Sequence, residues 1–209
     1  MYAVVARHLH HYESVSWAES LPVVTTERLV LRISDAADLD ELVDFSARNV
    51  KHFRPWFPAS ALSPTREGLL NSTNEKREQA KGDRGYRFNL FLREDPKRVV
   101  GQCSVSDVRR GAIQQAVIGY AIDHREQGKG LMKEAVSAAV KFAFDDLDLH
   151  RLEGSYMLAN DVSGAILHKL GFQQEAIFKE YLFLNNAWQD HIVTSLINDE
   201  WKGRGRKIN

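Results

Sequence analysis

The spacing of hydrophobic and polar residues predicts strands and helices along most of the chain. Leu29, Leu31 and Ile33 alternate as in a β-strand. Comparable runs predict six more strands, near residues 86–92, 99–108, 116–122, 150–158, 175–184 and 188–197. Helical periodicity and breaker residues predict helices near residues 35–43, 67–79, 131–144 and 161–170. The order of these elements predicts an α+β fold of the three-layer, α/β-like kind, with a mixed seven-stranded sheet and helices packed against it.

Three positions break the regular pattern. Residues 51–65 carry aromatic side chains interrupted by prolines, which predicts an aromatic loop. Asp95-Pro96 is predicted to turn the chain. Gly119 lies inside a predicted strand, where glycine suggests a β-bulge or the close approach of another backbone.

The length predicts one domain, because two cores in 209 residues would leave each half near the lower end of the usual domain range. We expect an N-terminal extension over residues 1–22, a single domain over residues 23–202 and a basic tail over residues 203–209. The extension contains three histidines. A packed or frayed segment is favoured there over a zinc site, because no acidic or cysteine partner lies at ligand spacing.

The composition narrows the class of protein. The 28 basic and 28 acidic residues balance, which argues against a bulk polyanion as the main partner, so no direct binding to nucleic acid is required. Cys103 is the only cysteine, so no intrachain disulfide forms. No apolar run approaches the ~20 residues of a membrane-spanning helix, and no signal-peptide core is visible. We expect a cytoplasmic protein without a membrane partner.

The segment Arg125-Glu126-Gln127-Gly128-Lys129-Gly130 lies between a predicted strand and a predicted helix. Backbone N–H groups converge at such a junction, where the helix dipole favours phosphate. The dinucleotide-binding fingerprint would need glycine at the position of Lys133, and a Walker A loop would need serine or threonine at Gly130. Taken alone, the segment could equally be an ordinary strand-to-helix turn.

In its context, this segment resembles the signature of the GNAT superfamily of N-acetyltransferases, Arg/Gln-x-x-Gly-x-Gly/Ala. The resemblance covers most of residues 25–200 and continues in Ile118-Gly119-Tyr120, Asn160-Asp161-Val162-Ser163 and Lys169-Leu170-Gly171-Phe172. Within the superfamily the chain is similar to the bacterial ribosomal-protein-alanine N-acetyltransferases (RimJ/RimL-like). The shared stretches are Thr25-Thr26-Glu27-Arg28-Leu29, Arg54-Pro55-Trp56, Gln127-Gly128-Lys129-Gly130-Leu131-Met132 and Trp188-Gln189-Asp190-His191.

The resemblance implies a mostly antiparallel sheet with helices on both faces, splayed between the fourth and fifth strands. It also implies acetyl-CoA as cosubstrate and no metal. The pantetheine arm of acetyl-CoA would follow the fourth strand, and its pyrophosphate would bind the backbone amides of residues 127–131. A backbone N–H at the bulge near Gly119 would stabilise the oxyanion of the tetrahedral intermediate. The residues assigned to the cofactor are Tyr120, Ile122, Asp123, Arg125, Gln127, Gly128, Lys129, Gly130, Leu131, Met132, Asn160 and Lys169.

The implied reaction is acetyl transfer to a primary amine by direct attack through a tetrahedral intermediate. An α-amine with a pKa of ~7.7 to 8.0 needs less help from a base than a lysine at ~10.4. Many family members place a tyrosine acid where this chain has Leu167, and the resemblance assigns that role to Ser163, with Asn160 beside it. Ser163 could instead only cap the short helix.

The base is less defined by the sequence. A related branch places a glutamate where this chain has Ser155, so Glu153, two residues earlier on the same strand face, is the first substitute. An ion pair with Arg151 is the alternative for Glu153. The other candidate bases are Asp107, Tyr156, Glu180 and His191.

The acceptor cleft is predicted from aromatic residues. Arg54, Trp56 and Phe57 would form one wall, and Tyr181 to Trp188 of the last hairpin would form the other, although these aromatics could also be core residues. The expected partner is the N-terminus of a protein, most specifically a ribosomal protein, and the enzyme is expected to be a monomer or homodimer. The rival functions are acetylation of a small amine (a polyamine, antibiotic or amino acid) and non-catalytic binding of acyl-CoA.

Overall fold

The computed structural model describes residues 13–18 and 21–202. The three histidines of the extension (His8, His10 and His11) and the basic tail lie outside these residues. The strands are β1 (Ser14–Ala18), β2 (Leu21–Thr25), β3 (Leu29–Arg32), β4 (Tyr86–Leu92), β5 (Asp95–Arg109), β6 (Gln115–Ile122), β7 (Arg151–Met157), β8 (Gln173–Leu184) and β9 (Ala187–Ile197). The α-helices are α1 (Leu39–Phe53), α2 (Ala59–Leu62), α3 (Arg66–Lys81), α4 (Leu131–Lys141) and α5 (Asp161–Lys169).

The strands form one mixed sheet in the order β1-β2-β3-β4-β5-β6-β7-β9-β8. Only β6 and β7 run parallel to each other in the described residues, and every other neighbouring pair is antiparallel. The α+β fold with a mixed, mostly antiparallel sheet is therefore confirmed.

The core has two parts, one on each face of the sheet. On one face, Leu31 and Leu90 pack with α4 and with Leu167 of α5. On the other face, Phe91 and Phe45 belong to a smaller cluster formed with α1 and α3. Because strand side chains alternate between the faces, the position of a residue along a strand decides which helix pair it faces.

The count of seven strands is wrong, since the described residues contain nine. The two additional strands are β1 and β2, and the boundary predicted after residue 22 falls within β2. The side chains of β1 are mostly exposed, so no alternation of hydrophobic residues marks this strand in the sequence. Pairing with β2 places it at the edge of the sheet.

Three local predictions are also corrected. The turn lies at residues 93–94, and Pro96 is the second residue of β5. The loop predicted over residues 51–65 is shorter, because α1 continues to Phe53 and α2 occupies part of the rest. The bulge predicted at Gly119 is wrong, since Gly119 pairs regularly with Ser104 and the register shift lies in β5, beyond Ser106.

The sheet is splayed between β6 and β7, as predicted. Their pairing begins at Gln115 with Arg151 and ends at Val117 with Glu153. Beyond Val117 the two strands share no further ladder pairs, so the remaining length of β6 presents a free edge to the gap. This edge offers backbone hydrogen-bonding groups to a ligand that lies along it.

Candidate active site

A cradle of backbone amides lies between β6 and α4. A short 3₁₀ turn spans residues 124–126, and Gly130 then caps α4. Gly128 and Gly130 have φ angles of 73° and 77°, in the left-handed region that favours glycine. The N–H groups of these two glycines donate to no other described residue, and the first turn of α4 adds further free donors. A Cβ at Gly128 would meet nothing within 4 Å, so the cradle is open.

Two buried carboxylates, Glu134 and Glu126, fix the cradle to neighbouring parts of the protein. Glu134 of α4 accepts hydrogen bonds from Thr26 Oγ1 at 2.6 Å and from the backbone and side chain of Arg28. Burial raises the pKa of Glu134, but these hydrogen bonds and the Arg28 charge hold it below its usual range. Arg28 also donates to the Lys129 carbonyl, so it joins the loop to the start of the domain. Glu126 has a similar position between Arg98 and Lys129.

Asp123 anchors the other end of the cradle. Its carboxylate is fully buried and accepts from Arg48 Nε at 2.6 Å and from the backbone N–H of Arg125. Burial opposes ionisation, but the Arg125 N–H and the Arg48 guanidinium hold the pKa of Asp123 below its usual range. Arg48 also pairs with Glu41 and donates to the Val99 carbonyl. The cradle is thus tied to α1 and β5.

A cavity of about 310 Å³ occupies the gap between β6 and β7. Cys103 and Tyr120 line it from the face of the sheet that carries α4 and α5. By strand alternation, Ser104, Gly119 and Ser155 line it from the face that carries α1 and α3. The cavity therefore connects the two faces through the splay, and the cradle lies at the N-terminus of α4 on the Tyr120 side.

Ser163 and Asn160 are brought to the cavity together with Tyr120. Asn160 caps α5 by accepting from the Ser163 N–H. The Ser163 hydroxyl donates to Tyr120 Oη at 2.9 Å, and Tyr120 Oη donates to the Ser163 carbonyl. Burial raises the pKa of Tyr120. Ser163 therefore both takes part in the cap of α5 and lines the cavity.

Tyr156 lines the same side of the cavity. Its hydroxyl lies 3.1 Å from His168 Nε2, and His168 Nδ1 lies 3.2 Å from the Phe172 carbonyl. This arrangement assigns the imidazole proton to Nδ1 and makes the tyrosine the donor to Nε2. The ring of Tyr156 also fills the space that a Cβ at Gly164 would need.

Glu153 does not line the cavity. It lies where β6 and β7 are still paired, and it accepts from Arg151 at 3.1 Å, which is the alternative stated above. Ser155 lines the cavity two residues further along β7. Among the described residues that line the cavity, none is aspartate or glutamate.

His191 of β9 is the imidazole on the α1 and α3 side of the cavity. It is 3% exposed and opposite Met157 in the β7–β9 register. Its Nδ1 lies 3.0 Å from the Gln189 carbonyl, so the proton is assigned to Nδ1 and Nε2 keeps a lone pair. The Tyr181 ring packs edge-on against it, with centroids 5.5 Å apart.

The aromatic loop and the last hairpin approach each other across the mouth of the cavity. Trp56 lines the cavity, and Leu182 and Leu184 are the hairpin residues that line it. Asn185 at the hairpin tip donates to the Pro55 carbonyl at 2.9 Å. The predicted acceptor residues Arg54, Tyr181 and Trp188 are not in the lining; Tyr181 instead packs behind His191.

The structure places the other predicted cofactor residues as follows. Arg125, Gln127 and Lys129 are on the surface of the cradle, and Leu131 and Met132 are buried in the first turn of α4. Ile122 packs against the core on the Tyr120 side of β6. Lys169 is exposed in the last turn of α5.

Sequence reasoning missed two residues, Glu134 and Lys76. The sequence does not mark Glu134 of α4 as a buried residue, but it is buried against Arg28. Lys76 of α3 lines the cavity, although α3 reads as a polar surface helix. Thr73 and Ala80, on either side of Lys76, are buried in the structure, but nothing in the sequence of α3 marks this face of the helix.

Within residues 13–18 and 21–202, no group of three or more His, Cys, Asp or Glu side chains is arranged to hold a metal ion. In the same residues, no helix combines the length and the apolar character needed to cross a membrane.

Comparison with known proteins gives a consistent result. A family model described as "Acetyltransferase (GNAT) domain" matches residues 28–173. The [Ribosomal protein uS5]-alanine N-acetyltransferase of Escherichia coli (strain K12) is 35% identical over 185 residues, which cover 85% of this chain and 92% of the relative.

Solved structures share the fold. The ribosomal-protein-S5-alanine acetyltransferase from Vibrio fischeri superposes with a TM-score of 0.78 at 31% identity, over 86% of this chain and 98% of that chain. RimJ of Mycobacterium smegmatis, solved in complex with CoA-disulfide, gives a TM-score of 0.77 at 25% identity, over 89% of this chain and 88% of that chain.

Proposed function

The chain belongs to the GNAT family of acetyltransferases and is an N-acetyltransferase, and from this premise we propose that it transfers acetyl from acetyl-CoA to the N-terminal amine of a ribosomal protein. The observation that carries the proposal is the cavity between β6 and β7, which is lined by residues from both faces of the sheet. A cofactor can enter from the cradle side while an amine enters from the other. The names of the relatives, which refer to ribosomal protein uS5, support the choice of acceptor.

The cradle fits the pyrophosphate of acetyl-CoA. Gly128 and Gly130 offer N–H groups that donate to no other described residue at the positive end of α4, and the space beside Gly128 is open. Arg125 adds positive charge at the same surface, whereas Lys129 is paired with Glu126. The free edge of β6 beyond Val117 can accept and donate backbone hydrogen bonds along the pantetheine arm.

Acetyl-CoA, when bound, supplies the acetyl group as a thioester, whose carbon–sulfur bond breaks as the amine nitrogen forms the amide. Cys103 lines the cavity, but burial raises its pKa to about 12, so its thiol is protonated near neutral pH. A protonated thiol is a poor nucleophile. Direct attack by the amine is therefore favoured over an acyl-enzyme on Cys103.

We assign removal of the amine proton to His191. Glu153, the first candidate from the sequence, is paired with Arg151 outside the cavity, and no carboxylate is among the described residues that line it. His191 lies on the acceptor side, and its Nδ1 bond to the Gln189 carbonyl leaves Nε2 free to accept a proton. An α-amine is already partly neutral near pH 7, so an imidazole is a sufficient base for it.

The proposed function is tested with purified protein, acetyl-CoA and three classes of acceptor. These are peptides that begin with alanine, the same peptides with a blocked N-terminus, and small amines that include a polyamine. We expect release of free CoA thiol and a mass gain of one acetyl group with the free peptides alone. Acetylation of a small amine but no peptide would favour the first rival function, and cofactor binding without turnover on any acceptor would favour the non-catalytic one.

Ser163→Ala tests the group beside the departing thiolate. The Ser163 hydroxyl donates to Tyr120 Oη at the cavity, so alanine at this position removes a hydrogen-bond donor on the cofactor side. We expect kcat to fall by roughly 10- to 100-fold, because the donor acts on charge that develops during the reaction. The KM for acetyl-CoA should stay within about twofold, since the cradle is unchanged.

A purely structural role for Ser163 gives a different result. The Asn160 side chain caps α5 by accepting from the Ser163 backbone N–H, which alanine keeps. If Ser163→Ala turns over at the wild-type rate with unchanged thermal stability, its hydroxyl has no part in the reaction.

A further inference from the structure

Two positive side chains line the acceptor side of the cavity. Lys76 projects from α3, and Arg87 lies on β4 on the face of the sheet that carries α1 and α3. Neither forms a salt bridge with a carboxylate within the described residues. The lining holds no aspartate or glutamate, so no negative charge in the described cavity wall offsets them.

Arg87 borders two depressions that differ in their charged residues. Arg87 also borders a separate, smaller depression that contains Glu75, Glu78 and Asp107. These carboxylates are not in the lining of the main cavity. Arg87 therefore lies between a depression that contains carboxylates and the main cavity, whose described lining contains none.

Lys76 lies in a place where its own charge is unfavourable. Thr73 and Ala80, one helical turn away on either side, are buried, so the face of α3 that carries Lys76 points toward the sheet. Burial lowers the pKa of Lys76, and repulsion from Arg87 lowers it further, while Glu75 partly opposes this effect. A negative group between Lys76 and Arg87 would relieve both costs.

We propose that Lys76 and Arg87 form a subsite for a carboxylate of the acceptor, so that the enzyme prefers N-termini with an acidic residue close behind the reacting amine. This inference rests on the proposed function, because it concerns which protein N-termini the same site accepts.

The sheet register gives the position of that acidic residue. Arg87 is opposite Ser104, and Ser104 is opposite Gly119 at the splay. Two strand spacings, roughly 10 Å, therefore separate Arg87 from the place where β6 leaves β7. An extended peptide covers this distance in about three residues. The carboxylate is expected on the second to fourth residue of the acceptor.

Matched peptides test the inference. Each begins with alanine and is otherwise uncharged near the N-terminus, and glutamate, glutamine or lysine is placed in turn at the second, third and fourth residues. For the wild-type enzyme we expect kcat/KM to be about tenfold higher for the best glutamate peptide than for its glutamine partner, with the lysine peptide lowest.

Charge variants on α3 show whether Lys76 sets this preference. Lys76→Met should reduce the glutamate-to-glutamine ratio to about twofold or less, and Lys76→Glu should make the lysine peptide the preferred substrate. Lys81→Met is the matched control, because Lys81 is on the same helix, pairs with Glu78 and is outside the cavity lining. It should keep the wild-type ratio.

The outcomes separate this inference from the proposed function. Equal kcat/KM for the glutamate, glutamine and lysine peptides, or a preference that survives in Lys76→Met, overturns the carboxylate subsite but leaves N-terminal acetylation intact. If no peptide is acetylated while a small amine is, the proposed function fails and the subsite fails with it. Lys76→Met removes a charge that burial disfavours, so thermal melting should show a folded protein.

Discussion

Asp123→Ala is expected to lower the free energy of unfolding by about 3–5 kcal/mol, the cost of removing one partner of a buried ion pair. Asp123 is fully buried and pairs with Arg48. In the variant, Arg48 would lose this partner and keep only Glu41 and the Val99 carbonyl among the contacts described above. The Arg125 N–H would also lose its acceptor. Urea unfolding followed by circular dichroism measures the change.

An exposed pair of the same chemistry is the control. Asp40 pairs with Arg66 at the surface, where the Asp40 side chain is 86% exposed. Asp40→Ala should cost less than about 1 kcal/mol, because water already screens such a pair. If the two variants lose equal stability, the buried position of Asp123 has no special energetic role.

The pH dependence of this variant follows from the sign of the shift. The pKa of Asp123 is lowered in the folded protein, so the ion pair stabilises the fold above the unfolded-state value near 4. That contribution is lost as the pH falls through the lower folded-state pKa. The difference in stability between wild type and Asp123→Ala should therefore be constant near pH 7 and shrink below about pH 4.

The amide cradle was predictable from sequence because its signals are local. Gly128 and Gly130 lie between a recognisable strand and helix, and both have the left-handed φ angles that only glycine adopts without strain. The splay between β6 and β7 came from the family resemblance and is confirmed by the register. Local propensity and tertiary structure agree in this part of the chain.

The side of the cavity that faces α1 and α3 was less predictable because it is assembled from distant segments. Lys76, Arg87 and His191 come from α3, β4 and β9, and nothing in the sequence around Lys76 and Arg87 marks these two as cavity residues. Strand alternation shows which face each residue occupies only after the sheet order is known. The same limitation explains why Glu153 was selected as a candidate base from the sequence. Its strand face was clear, but the sequence did not show that β6 and β7 are still paired beside it.

In the proposed mechanism, the two faces of the sheet at the splay have different roles. The cradle, Tyr120 and Ser163 lie on the side of α4 and α5, whereas Lys76 and His191 lie on the side of α1 and α3. Substitutions on the first side should act on the cofactor or the leaving thiolate. Substitutions on the second side should act on the amine and its selection, with little change in the KM for acetyl-CoA.

Replacing His191 gives the largest expected loss of activity. His191→Ala removes the proposed base, and we expect kcat near pH 7 to fall by about 100-fold, the lower end of the range for general-base catalysis. The lower end applies because an α-amine with a pKa of ~7.7 to 8.0 is already partly neutral. The KM for acetyl-CoA should be unchanged. Steady-state rates with an alanine peptide measure both parameters.

His191→Asn separates the chemical role from a structural one. His191 is 3% exposed and donates from Nδ1 to the Gln189 carbonyl, and an asparagine amide can replace that donor but cannot act as a base. If His191 is the base, the asparagine and alanine variants are equally slow near pH 7. Both should recover part of their rate above about pH 9, where the amine is neutral without help. If asparagine instead restores the wild-type rate at pH 7, His191 only supports the wall of the cavity, and the amine loses its proton to water.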